Sequence, residues 1–272
     1  MEQGNQAGRD AAARTRRIAL HIQYDGTAYN GWQIQNGGRT IQGELERAIA
    51  VLTRHDARVT ASGRTDTGVH AFCQVAHFDD ASELSLSRIC AGLNGILPRD
   101  IAIKNTYAVP PDFHARFGAV AREYLYMIYN QPRRNPFVRN RALWHQEKLN
   151  LEYLRSAASF LVGEHDFKSF CKKISSDGNT VRRIDEIDIS AADDLVVLRI
   201  KGNAFLHNMI RSIVGTLCEM NREKRDPDEM RLILKAKDRD AAGATAPACG
   251  LYLNRIWYDP PLSSMPDSSI NY

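Results

Sequence analysis

The segment Ser62-Gly63-Arg64-Thr65-Asp66-Thr67-Gly68-Val69-His70-Ala71 carries the residue types best suited to chemistry in this chain. Two glycines bracket one carboxylate and, two residues before it, one guanidinium, in a stretch too short to form a helix, so a tight loop can present both side chains. A carboxylate there can attack as a nucleophile or, by its charge, support an electron-poor centre. Enclosure works against that use, because desolvation favours the protonated acid, and a cation nearby is needed to keep the group ionised. The same residues also describe a polar hairpin whose aspartate closes a turn, and the segment alone leaves both readings open. His70 and His77, seven apart beside strand-like residues, read as ordinary hydrogen-bonding side chains rather than a proton-transfer pair.

Elements that must position this loop follow from periodicity. Ile18, Leu20, Ile22 and Tyr24 alternate as a strand face, and Ile41, Leu45, Ala48 and Leu52 recur at helical spacing. Strands are predicted at 59–62 and 73–78, a helix through Leu86, Ile89, Cys90 and Leu93, and a strand around Ile101 and Ile103. The order β-α-β-β-α-β then recurs. A strand covers 123–129, and a helix carries Leu151, Leu154, Ala158 and Leu161 between Asn150 as its cap and Gly163. Strands containing Ile187 and Ile189, then Val196, Leu198 and Ile200, precede an amphipathic helix through Met209, Ile210, Ile213, Val214 and Leu217. Asp226-Pro227-Asp228-Glu229 starts an extra short helix, and a last strand spans 251–257. Eight strands in two ferredoxin-like, RRM-like βαββαβ halves predict an α+β fold: an extended antiparallel sheet, helices on one face and a central cleft. The division is a basic flexible tail at 1–16, an N-terminal domain at 17–115, a C-terminal domain at 116–259 and a loose tail at 260–272.

The composition is that of a globular chain. Of 272 residues, 43% are hydrophobic and 25% charged, which excludes general disorder. No apolar run approaches the roughly 20 residues that cross a bilayer, and Glu2 and Asp10 weigh against a transit peptide. The five cysteines are scattered without a C-x-x-C pair, arguing for a reducing compartment and against a disulfide framework or zinc ribbon. No metal is expected, since the eight histidines form no ligand motif. A net charge of +4 permits an anionic partner without establishing one.

Gly63-Arg64-Thr65-Asp66 followed by Gly68-Val69-His70-Ala71 resembles the active-site signature of the tRNA pseudouridine synthase A family, with Thr67 where that family often has alanine. The resemblance extends through Tyr24-Asp25-Gly26, Tyr29, Gly31-Trp32-Gln33, Gln35, the segment Phe113-His114-Ala115-Arg116-Phe117 and Gly250-Leu251-Tyr252-Leu253. It implies an isomerase that converts uridine to pseudouridine at positions 38, 39 and/or 40 of the tRNA anticodon stem-loop, with Asp66 as the nucleophile and no cofactor. It further implies that Arg211, four residues after His207, pairs with Asp66, that Arg64 assists base flipping, and that Tyr124 binds the substrate. The Tyr124 ring could stack on the extruded base and its phenol could take part in proton removal from C5; packing alongside Tyr126 is the simpler alternative. Arg116, Arg122, Lys168, Lys172 and Lys173 are candidate phosphate contacts. The family resemblance also implies a homodimer in which one tRNA touches both subunits, while the lack of an apolar span or secretory stretch gives the expectation of a cytoplasmic protein with no membrane partner; no DNA partner is expected.

Two other classes compete. A noncatalytic RNA-binding protein on tandem RRM-like units would need the stacking-aromatic strand motif of that fold, which this chain lacks. A nucleoside hydrolase would usually require a second carboxylate beside Asp66, and the loop supplies one.

Overall fold

The computed structural model describes residues 15–173 and 178–265. Among these residues, ten strands and five α-helices form an open α+β structure on one continuous sheet. Its first half contains β1 (Arg16–Tyr24), α1 (Ile41–Thr53), β2 (Thr60–Ala61), β3 (His70–Asp80), α2 (Leu86–Ile96) and β4 (Ile101–Val109). The second contains β5 (Ala119–Asn130), β6 (Leu143–His145), α3 (Leu151–Ser159), β7 (Gly163–Asp166), β8 (Val181–Ala192), β9 (Leu195–Gly202), α4 (Met209–Glu223), α5 (Glu229–Ala236) and β10 (Leu251–Tyr258). No helix among the described residues is long and apolar enough to cross a membrane.

The main path of the sheet runs β4-β1-β3-β10-β5-β9-β8-β7, with β2 against β3 and β6 against β5. The sheet is therefore mixed, where an antiparallel one was expected. β10 lies at the seam: it is antiparallel to β5 and parallel to β3, with Tyr252 opposite His70 and Leu253 opposite Ala71. A single strand filling the gap between two halves cannot oppose the direction of both neighbours when those neighbours themselves run antiparallel. The strands beyond the expected eight, β6 and β7, are three and four residues long, too short to show a period in sequence.

Alternation along the strands sorts the core. Ile18, Leu20, Ile22, Tyr124, Tyr126, Ile128, Leu198 and Ile200 face the helices and merge with Leu45, Ile49, Leu93, Leu154, Ile213 and Leu217 into one apolar cluster. The opposite face carries a smaller cluster of Ala19, Val75, Val109, Phe113, Ala115 and Tyr258. Thr40, Ser85 and Asn150 accept first-turn N–H groups at the starts of α1, α2 and α3. Residues 160–162, read from sequence as the end of a helix, form a turn that still buries Leu161. Pro227 precedes α5, with Asp226 accepting from the Asp228 N–H at 2.9 Å.

The ends are more ordered than the sequence predicts. Arg16 opens β1 and pairs with buried Asp80 at 2.9 Å, while Leu262 and Met265 pack on the smaller cluster. The remainder of the two tail segments, 1–14 and 266–272, lies outside the described residues.

His77 joins the smaller cluster to the 113–117 segment by accepting the Ala115 N–H on Nδ1 at 3.2 Å. Burial, reinforced by Arg17 and His114, pushes its imidazole down to about 4. The unfolded chain therefore takes up this proton first, and stability is lost as pH falls from about 6.5 toward 4, by roughly 3 kcal/mol at most. Urea unfolding at pH 7 and pH 4.5 should show a smaller acid loss in His77→Asn, which keeps an acceptor but does not titrate; an equal loss would show that His77 is not the group responsible.

Candidate active site

The loop between β2 and β3 is built by the residues around it. Tyr24 at the end of β1 exchanges a hydrogen bond with Thr65 Oγ1 at 2.8 Å, and the Trp32 N–H donates to the Thr65 carbonyl at 3.0 Å. Gly31 stands at φ +79, and a Cβ there would lie 2.6 Å from the Thr65 oxygen, so the 29–32 turn can approach the loop only through glycine. From the other side, Gln74 donates to the Gly63 carbonyl at 2.9 Å and Arg122 to the Ser62 carbonyl at 3.1 Å. Inside the loop the Val69 N–H donates to the Asp66 carbonyl at 3.1 Å. Asp66 thus sits on a short, braced loop, with its side chain 28% exposed.

The facing wall is the start of α4. Arg211 Nη1 donates to Asp66 Oδ2 at 3.0 Å, and Arg211 Nε donates to the Ala246 carbonyl at 2.8 Å. The Ala246 N–H returns a bond to the Arg211 carbonyl at 3.0 Å, so this arginine is tied at both backbone and side chain. Gly215, one turn later, permits that contact, since a Cβ would meet the Ala244 carbonyl oxygen at 1.7 Å. On the other carboxylate oxygen, His207 Nε2 stands 3.6 Å from Oδ1. His207 is a first neighbour of Asp66 that the sequence does not reveal, because its contact crosses between distant parts of the chain.

Tyr124 lies on β5 below the loop, buried, with its ring edge-on to Phe205 at 5.3 Å. Its hydroxyl approaches Gly63, 3.9 Å from where a Cβ would stand. Burial, reinforced by the charge of Asp66 and opposed by Arg122, pushes its phenol up to about 12. The group is therefore a neutral phenol near neutral pH, which weighs against a resting phenolate base. Tyr126 turns its hydroxyl onto the Pro247 carbonyl at 2.7 Å, a packing role.

The remaining candidates divide. Arg64 is exposed at the loop. Arg116 is exposed beside the Phe117 ring, 5.5 Å from its centroid. Lys168, Lys172 and Lys173 are exposed on the segment after β7, and the Lys172 N–H donates to the His207 carbonyl at 3.3 Å, bringing that segment to the edge of the site. Arg122 does not belong with these cations. Its buried guanidinium donates to the carbonyls of Ala119, Asn203, Ser62 and Arg116, so it cross-links backbone instead of facing solvent. His70 is buried and accepts the Gly26 N–H at 3.1 Å, a structural placement.

A braced, partly exposed carboxylate with one oxygen on a guanidinium is the arrangement these elements make. Residues 20–118 and 157–259 match the family described as tRNA pseudouridine synthase. The chain belongs to the tRNA pseudouridine synthase family. Similar proteins named tRNA pseudouridine synthase A include that of Bacillus subtilis strain 168, 45% identical over 245 residues, covering 89% of this chain and 99% of the relative. That of Coxiella burnetii strain Dugway 5J108-111 is 43% identical over 244 residues, covering 90% and 94%, and that of Geobacillus sp. strain WCH70 is 45% identical over 246 residues, covering 90% and 99%. Within this pseudouridine synthase, Arg64, Asp66, Arg116, Lys168 and Arg211 fall inside the matched ranges, whereas Tyr124 falls between them.

Gly31→Ala should distort the loop that carries Asp66 while leaving the sheet intact. The expected cost is about 1 to 3 kcal/mol of stability together with a loss of activity, read by thermal melting and by turnover. A variant of native stability and full turnover would show that the 29–32 turn does not hold the loop.

Proposed function

We propose that the protein isomerises uridine to pseudouridine at positions 38, 39 and/or 40 of the tRNA anticodon stem-loop, with Asp66 as the nucleophile. The observation that carries this reading is the ion pair of Asp66 Oδ2 with Arg211 Nη1 at 3.0 Å, on a carboxylate that remains 28% exposed. The guanidinium fixes one carboxylate oxygen while the side chain stays within reach of solvent.

The atoms balance without a cofactor. Asp66 adds an oxygen to ribose C1′, and the electron pair of the N1–C1′ bond leaves with uracil. The base turns, its C5 attacks C1′, and the ester oxygen departs to restore the carboxylate. The C5 proton is lost and N1 gains one, so substrate and product are isomers. A fixed guanidinium suits both halves of the sequence, because it supports the carboxylate as attacking group and as leaving group.

Uridine in a stem must first be extruded, at a cost of a few kcal/mol. Arg64, exposed two residues before Asp66, is suited to occupy the vacated place, since a planar guanidinium both stacks and binds phosphate. Tyr124 is suited to pack against the extruded base, an aromatic contact worth roughly 1 to 3 kcal/mol. Arg116 and Lys168, with Lys172 and Lys173, supply positive charge for flanking phosphates. The enzyme acts in the cytoplasm as a homodimer that shares each tRNA between subunits.

Incubation with unmodified tRNA, without added metal or cofactor, should yield pseudouridine when mapped at base resolution. Asp66→Ala should lose at least about a thousandfold in single-turnover rate while holding tRNA with nearly native Kd. Arg211→Leu should lose about a hundredfold. Native rates in either variant, or no pseudouridine under binding conditions, would reject the reading. Light scattering at active concentrations should give twice the chain mass, and a monomeric mass there would reject the shared-tRNA arrangement.

A further inference from the structure

Arg211 Nη1 has two acceptors. Besides Asp66 Oδ2 at 3.0 Å, it donates to Asn208 Oδ1 at 2.8 Å. Asn208 holds the cap position of α4, yet its side chain makes no capping hydrogen bond, unlike Thr40, Ser85 and Asn150 at α1, α2 and α3. Asparagine is among the best capping residues, normally from an extended backbone. Here the backbone is left-handed, at φ 63 and ψ 5, and the side-chain oxygen serves the arginine three residues on.

That conformation is unusual for its place. Five described non-glycine residues have positive φ; Arg54, Lys224 and Lys237 follow the ends of helices and Asp193 turns the β8–β9 hairpin. Asn208 alone begins a helix. Asparagine is one of the few side-chain-bearing residues that accept this region readily, and its amide oxygen is a neutral acceptor. The position combines a tolerated backbone, a lost cap and a bond to the guanidinium that faces Asp66, so the side chain serves the ion pair in place of the helix.

We propose that Asn208 is a positioning residue for Arg211, fixing Nη1 against Asp66 with an acceptor that does not compete for its charge. The proposal rests on the roles of Asp66 and Arg211 given under the proposed function. Its two parts are separable: the acceptor sets the geometry, and its neutrality leaves the positive charge to Asp66. An aspartate at 208 would keep an oxygen in reach but would draw Arg211 toward itself. A glycine would keep the left-handed backbone and remove the acceptor.

The test uses the full chain and unmodified tRNA, with single-turnover rate, tRNA Kd and melting temperature measured for N208G, N208D and Asp66→Ala. N208G should lower the single-turnover rate about tenfold, with Kd within about twofold and a near-native melting temperature, a split that general loosening of the fold would not give. N208D should be slower than N208G. A native rate in N208G overturns the positioning role, as does a rate loss matched by an equal loss of tRNA binding or by a large fall in melting temperature. N208D at or above the N208G rate overturns the requirement for a neutral acceptor. Asp66→Ala separates the two levels: if it turns over normally, the underlying reading fails; if it is inactive while N208G is native, only the inference about Asn208 fails.

Discussion

One contact across 145 positions of sequence, between Asp66 and Arg211, organises the site. Each charge loses hydration beside a packed wall, and pairing the two offsets part of that cost. The two groups come from different halves of the chain, Asp66 from the loop before β3 and Arg211 from the first turn of α4. Their meeting requires the halves to be held in register, and β10 does this by pairing with β3 on one side and β5 on the other. The seam strand thus places a charge from each half within hydrogen-bond reach.

What surrounds the pair is mostly backbone. Thr65 is held through its carbonyl and hydroxyl, Gly63 and Ser62 through their carbonyls, and Arg211 against the Ala246 carbonyl. The acceptors are mostly backbone carbonyls and the side chains that reach the loop, Tyr24, Gln74 and Arg122, are buried, so the loop and helix hold their relative positions with little to reorganise. Electrostatic support of a charge-shifting reaction works best from groups already oriented before the charge moves. The glycines at 31 and 215 belong to the same scheme, since each lets two segments approach more closely than a side chain would allow.

The sequence made some of this legible and hid the rest for identifiable reasons. Alternation in β1 and β9 and helical spacing in α1 and α4 reveal the elements because burial imposes those periods directly. The tight loop was legible from its bracketing glycines and charged residues. The parallel pairing of β10 with β3 was not, because strand neighbours are a property of the whole sheet and leave no local mark. Arg122 misled for a related reason: an arginine that binds four carbonyls inside the fold has the same residue type as one that faces phosphate. Nothing in the sequence marks His207 and Asn208 as side chains of the site, because their contacts depend on how the turn before α4 bends, and only the left-handed backbone at 208 reveals that bend.

The two carboxylate oxygens of Asp66 are not equivalent, and the difference bears on the proposed chemistry. Oδ2 accepts a guanidinium bond at 3.0 Å, whereas Oδ1 stands 3.6 Å from His207, whose side chain is 44% exposed. At that distance the imidazole does not hold Oδ1 in a hydrogen bond, and its exposure lets it move aside. Had both oxygens been clamped by arginine in a bidentate fork, the pair would be better fixed but poorer as a nucleophile, since each lone pair would be engaged. One oxygen is anchored and the other is not, with a single arginine, because the Ala246 carbonyl and the Asn208 side chain restrict where that arginine can point.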